Sequence, residues 1–271
     1  MQTNDKHKTI LDEIAERTRE RVAEQKEKVT LEKIRQKALE MIEKDSSKAD
    51  FPFLRALKKE GISLICEVKK ASPSKGLIAE DFPYTEIARE YEAGGASAIS
   101  VLTEPYYFLG SNVYLQQIRQ TVDIPLLRKD FVVDPYMIYE AKVLGADACL
   151  LICAILDEKT LKEYLELAHS LGLSALVETH DDAEIAMALR VGARIIGVNN
   201  RNLKDFSVDV THSSQLRAKV PDDIVFVAES GIREKEQLAA LRTEGVDAVL
   251  IGETFMCAPD RRTIVAEFAA L

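Results

Sequence analysis

Acidic, basic and amide side chains recur at the ends of short apolar runs in this sequence. One run ends Glu67-Val68-Lys69, another Leu127-Arg128-Lys129-Asp130-Phe131, and a third stops at Glu178. Three more end Asn199-Asn200-Arg201, Glu229-Ser230-Gly231 and Ile251-Gly252-Glu253. Carboxylates and ammonium groups gathered at one place can donate and accept protons in turn, which is general acid–base chemistry. If each run is a strand, residues two apart share a face. Glu67 then lies with Lys69, Lys129 with Leu127 and Phe131, and Asn199 with Arg201, while Cys66 points the other way. One charge at a strand end is ordinarily a solvated loop residue, so the informative feature is the convergence of several. Asp147 and Arg194 begin their runs instead, and read as structural.

The elements that must position these groups repeat eight times. The apolar runs are ISLICEVK (62–69), SAISVLT (97–103), IPLLRKD (124–130), DACLLI (147–152), SALVE (174–178), RIIGVNN (194–200), IVFVAES (224–230) and VDAVLIG (246–252). Runs rich in Val, Ile and Leu without clean alternation fit strands buried on both faces. Amphipathic segments separate them, at Tyr84–Ala93, Pro135–Leu144, Glu158–Ser170, Asp181–Val191 and Glu234–Arg242. Glycines stand where several should stop: Gly94, Gly145, Gly172, Gly192 and Gly245. A doubly wound sheet would have fewer strands and a glycine-rich first turn, and no GxGxxG occurs. The expected fold is α/β, a (β/α)8 TIM barrel with an N-terminal helical extension. In that architecture the site lies at the C-terminal strand ends, with a phosphate cradle after strands seven and eight. Gly231 and Gly252 fit such a cradle because backbone N–H groups can approach an anion there. Ser72, in the SPSKG loop, can add a hydroxyl.

Residues 1–60 form the expected extension and 61–271 the barrel, as a single domain overall. The extension is charge-rich with apolar stripes, Ile10, Leu11, Ile14 and Val22, then Leu31, Ile34, Ala38, Leu39 and Ile42, before Asp50-Phe51-Pro52-Phe53 breaks the pattern. These stripes are too thin for a second core, so packing on the barrel is expected, with the first helix near the mouth as a partial lid. With 36 Lys+Arg against 45 Asp+Glu, the 271 residues carry a formal net charge of −9. That balance argues against a general nucleic-acid binder, yet local cations can still draw an anionic small molecule. No apolar run of about 18 residues suggests a membrane span, and the N-terminus lacks an apolar signal core. Cys66, Cys149, Cys153 and Cys257 sit in or beside apolar runs, with no CxxC or Cys/His cluster. They read as buried free thiols in a reducing cytoplasm, rather than zinc ligands or a disulfide framework.

The order of these motifs resembles the indole-3-glycerol-phosphate synthase family. The resemblance rests on EVKKASPSKG (67–76), SVLTEPYYFLGS (100–111), LLRKDFVVDPYMIYEAKVLGADA (126–148), ALVETHD (175–181), IIGVNNRNL (195–203), VAESGI (227–232) and VLIGETFM (249–256). It implies ring closure of 1-(2-carboxyphenylamino)-1-deoxyribulose 5-phosphate with loss of carbon dioxide and water, without a metal or organic cofactor. It implies catalytic roles for Lys129, Glu178, Lys69, Glu67 and Asn199, and substrate contacts from Arg201, Glu229, Ser230, Phe108, Phe131 and Leu203. Phosphate would be held by Ser72, Gly231, Gly252 and the backbone of Glu253. How the acid and base steps divide between Lys69, Lys129 and Glu178 stays open at this point, as does the choice between monomer and homo-oligomer. The chain departs from the pattern in having no tryptophan, so Ile10, Leu11 or Ile14 would supply the extension's contact to substrate. It also has a carboxylate at Glu253, which is expected to turn to solvent. No second barrel follows residue 271, which fits a monofunctional form. A related phosphoribosylanthranilate isomerase would use a cysteine after strand one, but Cys66 has the wrong parity. A catalytically silent phosphate-binding barrel would not need the Glu–Lys–Asn set.

Overall fold

The computed structural model describes residues 9–44, 50–202 and 205–271. All eight apolar runs are strands: β1 (Ser63–Val68), β2 (Ala98–Leu102), β3 (Leu126–Lys129), β4 (Ala148–Ile152), β5 (Ser174–Thr179), β6 (Ile195–Asn199), β7 (Val225–Glu229) and β8 (Ala248–Ile251). Each pairs in parallel with its neighbour, and β1 closes the barrel by pairing with β8, Ser63 opposite Ala248. Alternate strand residues divide the core in two. Ile65, Leu127, Leu150, Leu176, Val227 and Leu250 fill the interior, while Leu64, Cys66, Val101, Cys149, Val177 and Phe226 face the helices.

Polar caps start the outer helices where the sequence offers them. Asp134 caps α6 (Pro135–Val143) through the N–H of Tyr136, with Pro135 in the first turn. Asp157 caps α7 (Glu158–Ser170) and Asp181 caps α8 (Asp182–Arg190) in the same way. Gly145, Gly172, Gly192 and Gly245 take the left-handed conformation after their helices, but Gly94 does not; there it is Gly95, at φ +95°.

Among the described residues, three helices precede β1. The first, α1 (Ile10–Lys28), is opened by a Thr9–Asp12 capping box and buries Leu11, Ile14 and Val22. Its Arg21 reaches 2.8 Å from Asp130, and its Lys26 2.6 Å from Asp134, both just beyond β3. The second, α2 (Leu31–Lys44), lies along α6 and sends Ile34 and Ala38 into the outer core. Leu31 and Leu39, expected on that buried stripe, are exposed because α2 turns only a narrow face to the barrel. The break at Asp50–Phe53 starts a third helix, α3 (Pro52–Leu57), whose Phe53 and Leu57 join the interior core. Among the described residues, no helix is long and apolar enough to cross a membrane.

Candidate active site

The C-terminal ends of the strands open into one cavity, lined by groups from most strands and by the first turns of α1. Lys129, at the end of β3, is its electrostatic centre. Its Nζ lies 2.6 Å from Glu229 Oε2 on β7 and 3.6 Å from Glu178 Oε2 on β5. Burial opposes its charge, but Glu229, Glu178 and Glu67 outweigh that and hold the ammonium more firmly protonated than a free lysine. Glu229 is treated differently. Burial raises its carboxyl, Lys129 pulls it back, and the nearby Glu178 charge leaves it at about 7. Its Oε1 is buried without a hydrogen-bond partner and lies close against Gly197 of β6.

A second pair sits beside this group. Lys69 Nζ lies 2.5 Å from Glu67 Oε2, both pointing inward as their spacing requires. Burial alone would raise the Glu67 carboxyl, yet Lys69 and Lys129 hold it below the ordinary value. Asn199 on β6 faces Glu178 Oε1 at 3.3 Å and accepts the backbone N–H of Arg201 at 3.0 Å. Arg201 spends one donor on the Phe206 carbonyl.

The apolar wall is an aromatic pair, Phe108 and Phe131, with ring centroids 5.9 Å apart. Glu104 fixes the loop carrying Phe108. It is buried and accepts the backbone N–H groups of Tyr106, Tyr107 and Phe108 at 2.7–3.0 Å. Ile10, Leu11 and Ile14 of α1 also line the cavity. Leu203 lies outside the described residues.

At the other end, Ser72 sits in a small ribbon formed by Ala71–Ser72 and Gly76–Leu77, its hydroxyl 3.4 Å from that of Ser74. Ser230 and Gly231 both have positive φ, +70° and +84°, and a Cβ at Gly231 would collide with Val208. The short helix Glu253–Met256 starts at Gly252. Here Gly252 has a second role, and the expectation for Glu253 needs correction. A Cβ at Gly252 would come within 2.5 Å of Glu67 Oε2 and 2.9 Å of Lys69 Nζ, so this glycine also makes room for the Glu67–Lys69 pair. The Glu253 carboxylate does not simply turn to solvent, because Lys75 holds it at 3.2 Å.

Several contributors escape a reading by strand ends. Gly197 is one, since a Cβ there would run into Glu229 Oε1. His180, one residue past β5, is another; the parity that exposes Glu178 also exposes it, which was the available signal. Cys66 faces the helices and burial pushes its thiol up, as parity implied. Cys149 and Cys153 are buried too, but Cys257 is exposed because it ends the short helix after β8. Among the described residues, no cluster of three His, Cys, Asp or Glu could hold a metal ion.

Comparison with known proteins gives a consistent picture. The family model described as indole-3-glycerol phosphate synthase matches residues 11–268. A protein of that description from Ruminiclostridium cellulolyticum is 55% identical over 251 residues, covering 93% of this chain and 95% of that protein. Another from Endomicrobium trichonymphae is 55% identical over 247 residues, covering 91% and 94%. A thiamine phosphate pyrophosphorylase structure from Pyrococcus furiosus superposes with a TM-score of 0.59 at 20% identity, covering 76% of this chain and 93% of that one, a likeness of fold.

Proposed function

The chain belongs to the indole-3-glycerol phosphate synthase family, and on that premise we propose how its side chains close the ring of 1-(2-carboxyphenylamino)-1-deoxyribulose 5-phosphate. The observation that carries the reading is Lys129, a buried ammonium shared by two carboxylates at the foot of an aromatic wall. The substrate phosphate lies against the loops after β7 and β8, with backbone donors at Gly231, Gly252 and Glu253 and the hydroxyl of Ser72. Its aromatic ring rests on Phe108 and Phe131, closed from above by Ile10, Leu11 and Ile14. Lys69 and Arg201 receive the carboxylate. Glu229, which lines the cavity at the end of β7, accepts a ribulose-derived hydroxyl, beside Ser230.

The ring carbon bearing the carboxylate attacks the ketone carbon. Lys129 gives its proton to the oxygen as negative charge develops there, which is where a fixed cation stabilises most. The carboxylate then leaves as carbon dioxide, and its electron pair restores the aromatic ring. In the last step the new hydroxyl leaves as water, protonated by Lys69, while Glu178 accepts the proton shed as the second ring becomes an indole. Glu67 holds Lys69 in place, and Asn199 orients Glu178. Two protons are given and one is returned, so one solvent proton is taken up per turnover. The direct test is to mix enzyme and substrate and follow indole product and carbon dioxide together. Equal yields are expected, and no indole product overturns the reading.

Two further outcomes follow from the geometry. Gly197→Ala forces Glu229 away from its present place, and displacements near 1 Å can cost about 10²-fold. We expect kcat/KM to fall by about that much, with the melting temperature within a few degrees of the parent; activity within about threefold would mean that the Glu229 position is not needed. Inorganic phosphate should compete with substrate. Gly231→Ala strains a left-handed turn, collides with Val208 and weakens phosphate inhibition about tenfold or more. Lys69→Met leaves that inhibition within about threefold while sharply impairing the full substrate. The reverse pattern of inhibition constants would place the phosphate at the carboxylate end.

A further inference from the structure

His180 lies two residues beyond Glu178 and is clamped on three sides. Its Nδ1 stands 3.1 Å from Glu184 Oε2, and the same oxygen accepts the His180 backbone N–H at 2.7 Å. The ring of His212 donates to the His180 carbonyl at 2.8 Å. The other ring nitrogen of His180, Nε2, is buried with no hydrogen-bond partner and lies 3.4 Å from Glu178 Oε1. Glu184 sits in the first turn of α8, where it satisfies a free N–H group. Helix capping therefore accounts for Nδ1. It does not account for Nε2 standing against the carboxylate that takes part in the reaction.

The two ring nitrogens lie 3.1 and 3.4 Å from oxygens of two different carboxylates, and a buried imidazolium between two carboxylates is attracted by both. We propose that His180, clamped by Glu184, is a positioning residue whose positive charge holds the Glu178 carboxylate in place to accept a proton. This rests on the assignment of Glu178 as the acceptor. The surrounding charges agree with it. Burial disfavours the imidazolium, but Glu184, Glu178 and Glu229 outweigh burial and hold His180 above the ordinary histidine range. Asp181 begins α8 beside it, and the buried Cys153 thiol packs on the Glu184 backbone. Lys129 approaches Glu178 from the opposite side at its other oxygen, so the carboxylate lies between two cations and Asn199.

His180→Asn removes the charge but keeps a side chain able to reach Glu184. Glu178 acts after the substrate is bound, so kcat is expected to fall about tenfold while KM stays within about twofold. A purely structural role would raise KM and lower the melting temperature together with kcat, and that result, or kcat within about twofold of the parent, overturns the proposal. A second measurement needs no variant to fold. Ring-nitrogen NMR shifts of the 15N-labelled parent should show His180 doubly protonated at pH 7, and a neutral ring there overturns the proposal equally. Indole formation by the parent is the control. Its absence would overturn the assigned reaction, while the ring shifts would still report the charge of His180.

Discussion

Replacing Lys129 by Met lowers turnover by at least about 10²-fold, the scale of a lost general acid, and leaves the barrel folded. Met matches the length of the lysine stem but has no proton to give. It also removes the cation that Glu229 and Glu178 share. Three buried carboxylates then compete for Lys69 and Arg201, and Glu229, already at about 7, takes up a proton more readily. The residual activity should therefore depend on pH differently from the parent's. Lys129 borders the cavity, where Glu229 can take up a proton in place of the lost cation, so the barrel stays folded at some cost in stability. Steady-state indole formation at saturating substrate, with circular dichroism as a fold check, decides it. Turnover within about threefold of the parent would remove Lys129 as the acid.

The neighbouring residue gives the largest expected effect on stability. Arg128 is fully buried and faces the helices. It bonds Thr103 at 3.2 Å, the Met137 carbonyl at 2.8 Å, Asn112 at 3.0 Å and Glu140 at 2.5 Å, with Asp130 at 3.6 Å. Arg128→Met strands Glu140 and leaves Asp130 with Arg21 alone among its cations. Breaking a buried pair in this way costs about 3–5 kcal/mol, measurable as a lower urea midpoint at unchanged slope. Arg21→Met should cost less, since Asp130 keeps Arg128 and the Thr103 hydroxyl. A loss below about 1 kcal/mol for Arg128→Met would mean that water replaces these partners.

Much of this was legible in the residues themselves. Fully buried strands leave continuous Val/Ile/Leu runs, so all eight could be placed, and two-residue parity put Glu67, Lys69 and Lys129 inward. Parity reports direction but not partners. That Arg21 would meet Asp130 across 109 residues, or that Gly197 would leave space for Glu229, depends on which strands neighbour one another and in what register. The Glu184–His180–Glu178 chain was hidden for a related reason, because a helix-capping carboxylate and a strand-end acid look independent until the loop between them is seen. Leu31, Leu39 and Cys257 show the limit of burial by residue type. Each is apolar enough to be buried, but each lies on an element that offers only one face to the barrel.

The pairing of β1 with β8 bears on the order in which the protein is made. A ribosome delivers Lys129, Glu178 and Glu229 in turn, on β3, β5 and β7, and N-terminal segments are free to fold first. Glu67 and Lys69 emerge earlier than any of these, yet they are fitted against Gly252, which follows β8, the last strand of the barrel. Until β8 is released, β1 has one edge unpaired and the seat beside Gly252 is missing. The cluster around Lys129 can thus begin to assemble during synthesis, whereas the pocket we propose for the two anionic groups of the substrate is completed only at the seam. On that assignment, a nascent chain cannot hold its substrate before the barrel has closed.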